Sequence, residues 1–162
     1  MIRSRSAVSV VVFLVLALSA PARSQQLTVR TEDGKQTVLA MADIVALPHI
    51  AINVDVAGES TKFEGVSLTA LLERSVVAFG ETLKGKRMAS CLLVEAADDY
   101  RVVFALPELD PAFTSKQIIL AFSKNAKPLG EKEGPYRIVI PDENRMARWV
   151  RQVTTLKIVD VQ

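Results

Sequence analysis

Few side chains in this 162-residue chain could do chemistry, and each is easily enumerated. His49 is the only histidine and Cys91 the only cysteine. One of each cannot make a zinc site, which needs several nitrogen or sulfur donors. A lone cysteine also excludes an intramolecular disulfide. A Ser-His-Asp triad would have to use His49, and no G-x-S-x-G elbow is present. Asp98 and Asp99 precede Tyr100. Paired carboxylates can do acid–base work, but aspartates at a turn commonly bond their own backbone. Arg137 and Arg148 could present fixed donors to a carboxylate, sulfate or phosphate. Alternatively, each forms an ion pair or lays its stem on Trp149. Trp149, the only tryptophan, reads as a core anchor before a ligand platform. Arg145, Arg148 and Arg151 recur every three residues and would share one face of a helix. Arg137, Arg148, Tyr100 and Trp149 are the candidate ligand-binding residues, and no residue stands out as catalytic.

The elements that would position these groups are mostly strands. Leu27 to Arg30 and Gln36 to Leu39 flank Asp33-Gly34 and read as a hairpin. Ala40 to Leu47 suits a short helix ended by Pro48, which leaves His49 in a loop. Ile50 to Val56 alternates apolar and polar residues, as a half-solvated strand does. Ser67 can cap a helix from Leu68 to about Phe79, with Leu68, Leu71, Leu72, Val76 and Phe79 on one face and Gly80 at its stop. Ala89 to Ala97 and Arg101 to Leu106 pair across Asp98-Asp99-Tyr100. A helical turn within Pro107 to Phe113, a strand from Gln117 to Phe122 with a Lys124-Asn125 turn, and a strand over Arg137 to Ile140 follow. Arg145 to Arg151 suits a turn of helix, and Val153 to Val159 is the last strand. The expected architecture is α+β, a mixed or mostly antiparallel sheet with one main helix and short helical turns.

Residues 1–24 read as a cleavable secretory signal peptide. Arg3 and Arg5 precede the apolar run Ala7 to Ala20, and small residues follow, with Ala20-Pro21-Ala22 or Ala22-Arg23-Ser24 as the cleavage pattern. The run falls short of the roughly 20 residues a membrane-spanning helix needs. The arginines are split by Ser4, so the start reads as a general secretory signal, not a twin-arginine one. Residues 25–162 then form one domain, in the periplasm or secreted, with no stable membrane anchor after cleavage. The segment holds three of the 20 basic residues and none of the 18 acidic ones. Cleavage therefore turns a formal charge of +2 into −1. That leaves no basic excess to recruit nucleic acid.

Several segments, in order, resemble one family. Phe63-Glu64-Gly65-Val66-Ser67-Leu68, followed by Leu71-Leu72, is similar to the W/F-x-G-V-x-L-x-x-L-L segment of the molybdopterin-binding domain of sulfite oxidase and its relatives. Glu95-Ala96-Ala97-Asp98-Asp99-Tyr100 resembles the A-x-D-G-Y turn, and Phe104 to Asp110 a short S-L-x-E-L segment. Lys127-Pro128-Leu129 resembles the G-x-P-L turn. Gly134 to Pro141 resembles G-P-x-R-x-V-x-P, and Arg148-Trp149-Val150 with Val153 the K/R-W-V-x-x-V ending. The resemblance covers about Gln36 to Asp160 and implies a sulfite-oxidase-type molybdopterin-binding fold.

The chain also departs from that pattern. The family holds molybdenum through a cysteine thiolate that precedes W-x-G-V, and a soft metal centre needs such a donor. The matching stretch here, Ile50 to Lys62, has no cysteine. Cys91 lies in an apolar strand, where cysteine usually acts as a small inert hydrophobe, so it is not expected to bind metal. The loop Asp142 to Ala147 has no glycine and begins with two acids, which would repel a phosphate. Family members loaded with cofactor in the cytoplasm typically leave by the twin-arginine route, which this start does not resemble. The leading expectation is an exported, non-catalytic binding or accessory domain that binds a small anionic ligand and carries no cofactor. The first alternative is a molybdopterin-dependent oxidoreductase of the sulfite oxidase type. The second is a periplasmic protein-interaction module.

Overall fold

The computed structural model describes residues 26–141 and 143–161. Residues 1–24, expected from the sequence to be a signal peptide, lie outside the described residues. The strands form two five-stranded sheets. The first has the order β2-β1-β10-β5-β6, from β1 (Gln26–Arg30), β2 (Gln36–Ala40), β5 (Cys91–Ala96), β6 (Arg101–Ala105) and β10 (Val153–Val159). It is mixed: β1 and β10 run parallel, and the other pairs are antiparallel. The second is antiparallel throughout and contains β3 (His49–Val56), β4 (Glu59–Ser67), β7 (Ile119–Lys124), β8 (Lys127–Pro128) and β9 (Arg137–Val139). One edge of β7 carries β4; the other is shared by β8 and β9. One hydrophobic cluster joins the two sheets, with Leu27, Leu92 and Leu156 from the first and Phe63, Val66 and Ile119 from the second.

The strands expected around β1, β2, β3, β5, β6 and β10 are present, and so are the Asp33-Gly34 and Asp98-Asp99 turns. The short helix α1 spans Met41–Val45. Beyond β4, which the pattern does not announce, and β7, which includes the Lys124 expected in a turn, three details differ from expectation. His49 opens β3 instead of lying in a loop. The main helix, α2, spans only Leu68–Arg74. Ser67 does cap it, accepting a hydrogen bond from the Ala70 amide, but Val76 adopts a left-handed φ of 69° and is 70% exposed. A β-branched residue in that region ends a helix, so the apolar stripe that seemed to continue to Phe79 does not. Arg145 to Arg151 contributes only a 3-10 turn over Met146–Arg148.

Gly65 explains the glycine of the F-x-G-V segment. It sits at a bulge where β4 meets β7. A Cβ there would lie 2.2 Å from the Leu120 carbonyl oxygen and 2.6 Å from the Ala121 Cα. The two backbones can approach this closely only without a side chain.

Candidate functional site

A cleft of about 880 Å³ opens beside the β5–β6 turn. Asp98 and Tyr100 line it, as do Glu131 and Lys132 from the segment leading into β9. Arg137 and Trp149 line it as well, with Met146, Ala147, Val150, Arg151 and Gln152 completing the wall. The frame is held by backbone hydrogen bonds: the Ile138 amide donates to Val150, Gln152 to Glu133, and Ala97 to Gln152. Tyr100 donates its hydroxyl to the Ala147 carbonyl at 2.9 Å, tying the β5–β6 turn to the 3-10 turn.

Arg137 is the most constrained charge in the cleft, at 7% exposure. Its guanidinium lies 5.3 Å from the Phe63 ring centre and 5.4 Å from that of Trp149, and the two rings meet edge to face. It donates to the Glu133 carboxylate, which also faces Lys124. Burial pulls its pKa below the ordinary arginine value; Glu133 opposes this, and the nearby charge of Arg151 adds to it. Even so, Nε of Arg137 is buried without a hydrogen-bond partner, as is Nε1 of Trp149. Both groups can only donate, and buried donors are ordinarily satisfied.

Of the four candidate residues, the cleft gathers Arg137, Trp149 and Tyr100. Arg148 points elsewhere. It binds Glu143 through two donors, Nε at 2.7 Å, and Glu108 at 3.2 Å, and its guanidinium lies over the Phe104 ring. Arg148 and Arg145 border a separate, shallower cavity, whereas Arg151 lines the main cleft. The three arginines therefore do not form one face. Glu143 is turned onto Arg148 instead of repelling ligands from the loop, and Asp142 lies outside the described residues. Glu131, Lys132 and Gln152 also line the cleft, and nothing in their spacing announced it. The available signal was position alone, since Glu131 and Lys132 lie between the Lys127-Pro128-Leu129 and Gly134-Pro135 motifs.

Cys91 lies away from this site. It opens β5, whereas Asp98 and Tyr100 follow the other end, about 17 Å along the strand at 3.3 Å per residue. It is half-buried, on the β5 face opposite Leu92, Val94 and Ala96, so it is not the fully buried residue expected. Burial pushes its thiol pKa up, and Asp160 adds to this, so thiolate is disfavoured. Among the described residues, no group of three or more His, Cys, Asp or Glu is arranged to hold a metal ion. Ile50 to Lys62, where the family's cysteine would fall, forms the β3–β4 hairpin, closed by a tight turn at Ala57-Gly58. The donor set of the cleft therefore does not fit a thiolate-bound molybdenum centre.

Residues 17–162 match the family model described as oxidoreductase molybdopterin binding domain. The chain belongs to this family. Its fold resembles that of the sulfane dehydrogenase SoxCD from Paracoccus pantotrophus, with a TM-score of 0.63 and 20% identity over 84% of this chain and 38% of that one. The present chain thus spans well under half of that protein's chain. No curated protein sequence matches it. The motif segments meet in two stacks: Phe63, Arg137 and Trp149 in one, Phe104, Glu108 and Arg148 in the other.

Proposed function

We propose that this protein is an exported, non-catalytic binding domain that holds a small anionic ligand in the cleft beside Arg137 and Trp149. The observation that carries the reading is a cleft lined by Arg137, Lys132 and Arg151 together with Trp149, in which Arg137 Nε and Trp149 Nε1 are buried without a hydrogen-bond partner on two of the lining residues. Donor-only groups call for an acceptor, and the positive charges call for an anion. The unfavourable proximity of Arg151 to Arg137 supports this, because an anion between them would relieve it. Family membership favours molybdopterin as the alternative ligand. The position of Cys91 and the tight β3–β4 hairpin argue against a molybdenum centre of the usual donor set.

Isothermal titration with inorganic sulfate and with acetate tests the reading. Binding is expected in the wild type, with at least a tenfold loss in Lys132→Gln/Arg151→Gln. Both residues are exposed, so the fold should survive their replacement. Absence of anion binding, together with stoichiometric molybdenum in protein isolated from its native host, would favour the alternative. Export is tested separately by sequencing the N-terminus of the protein recovered outside the cytoplasm. It is expected to start at residue 23 or 25, just ahead of β1.

A further inference from the structure

The cleft presents charges of both signs that leave one another alone. Asp98 and Glu131 carry carboxylates, and Lys132 and Arg151 carry cations. All four are exposed, and among the described residues none makes an ion pair. The Asp98 carboxylate accepts only the Tyr100 amide of its own turn. Elsewhere on this protein, carboxylates near cations do pair: Glu133 with Arg137 and Lys124, Glu143 and Glu108 with Arg148. The same cleft is lined by the Tyr100 and Trp149 rings and by Arg137, and Arg137 Nε and Trp149 Nε1 are buried without a partner. A ligand of one sign would satisfy half of this lining and be repelled by the other half.

We infer that the ligand is a small zwitterion of the amino-acid or short-peptide type. Its acid group faces Arg137, Arg151 and Lys132, and its ammonium faces Asp98 and Glu131. The inference rests on the anion-binding reading, because the same cations receive the acid group. The ring of Tyr100 suits the ammonium end, since cations are attracted to aromatic faces. An 880 Å³ cleft has room for more than a single inorganic ion.

Three probes separate the charges: glycyl-L-leucine, its N-acetyl form, which is only anionic, and its C-terminal amide, which is only cationic. Titrated against the purified protein, the free dipeptide is expected to bind roughly tenfold or more tightly than either blocked form. Asp98→Asn/Glu131→Gln should bring the free dipeptide down to the affinity of the N-acetyl form while leaving that form's affinity unchanged or higher. Equal binding of the free and N-acetyl dipeptides would overturn the zwitterion and leave the anion reading standing. Binding of the amide alone, or of none of the three nor sulfate, would overturn both.

Discussion

Arg137 and Arg148 look interchangeable in sequence, yet their surroundings give them different duties. Arg137 lies near two rings and is pinned by Glu133, with its Nε buried and unpartnered. Arg148 directs its donors at two carboxylates over a third ring and takes no part in that cleft. The cue that distinguishes them is not local: it depends on which carboxylates the fold brings near. His49 shows the same effect. Its Nδ1 lies 2.9 Å from Glu64 and its Nε2 2.9 Å from the Val45 carbonyl, while the ring meets Phe122 edge to face. Two acceptors facing both ring nitrogens favour the doubly protonated imidazolium. The Val45 carbonyl and then Glu64 raise its pKa above 6.5. The raised folded-state pKa means that this contribution to stability is full below about pH 6.5 and is lost as pH rises through the folded value. Proton NMR titration should find His49 above 6.5, and Glu64→Gln should lower it. An unshifted His49 in both proteins would refute the linkage.

At the level of elements, legibility followed solvent exposure. β3, with one solvated face, alternates visibly and lies where the pattern puts it, whereas β5 is recognisable as an apolar run bounded by a turn. β4 does not advertise itself, because its inward positions include Thr61 and Gly65 beside Phe63, so the buried face is not uniformly apolar. α2 reads too long because periodicity cannot see the left-handed turn at Val76. The division of the strands between two sheets depends on non-local pairings that no local pattern encodes. The cleft shares that limit: its walls come from segments separated by dozens of residues. The β4–β7 contact also yields a sharp test. Gly65→Ala would drive a Cβ into the Leu120 and Ala121 backbone, and overpacking against backbone costs on the order of 1–3 kcal/mol or more. Urea denaturation should show at least ~2 kcal/mol of destabilisation. Gly130→Ala, where a Cβ meets nothing within 4 Å, should be near neutral. Comparable stabilities for the two variants would contradict the close approach.

For the whole molecule, the pairing order has a consequence in time. β10, the last strand, sits at the centre of the first sheet, with β1 on one side and β5 on the other. Until Val153 to Val159 arrives, that sheet exists only as two unconnected hairpins, β1–β2 and β5–β6. Isolated two-stranded hairpins are marginal in water, and closing the first sheet pairs segments far apart in sequence, such as Thr28 with Thr155, at a cost in loop-closure entropy. A chain emerging N-terminus first thus has no complete first sheet until Val153–Val159 is available. That order makes the seven-residue β10 the keystone whose arrival joins both halves at once.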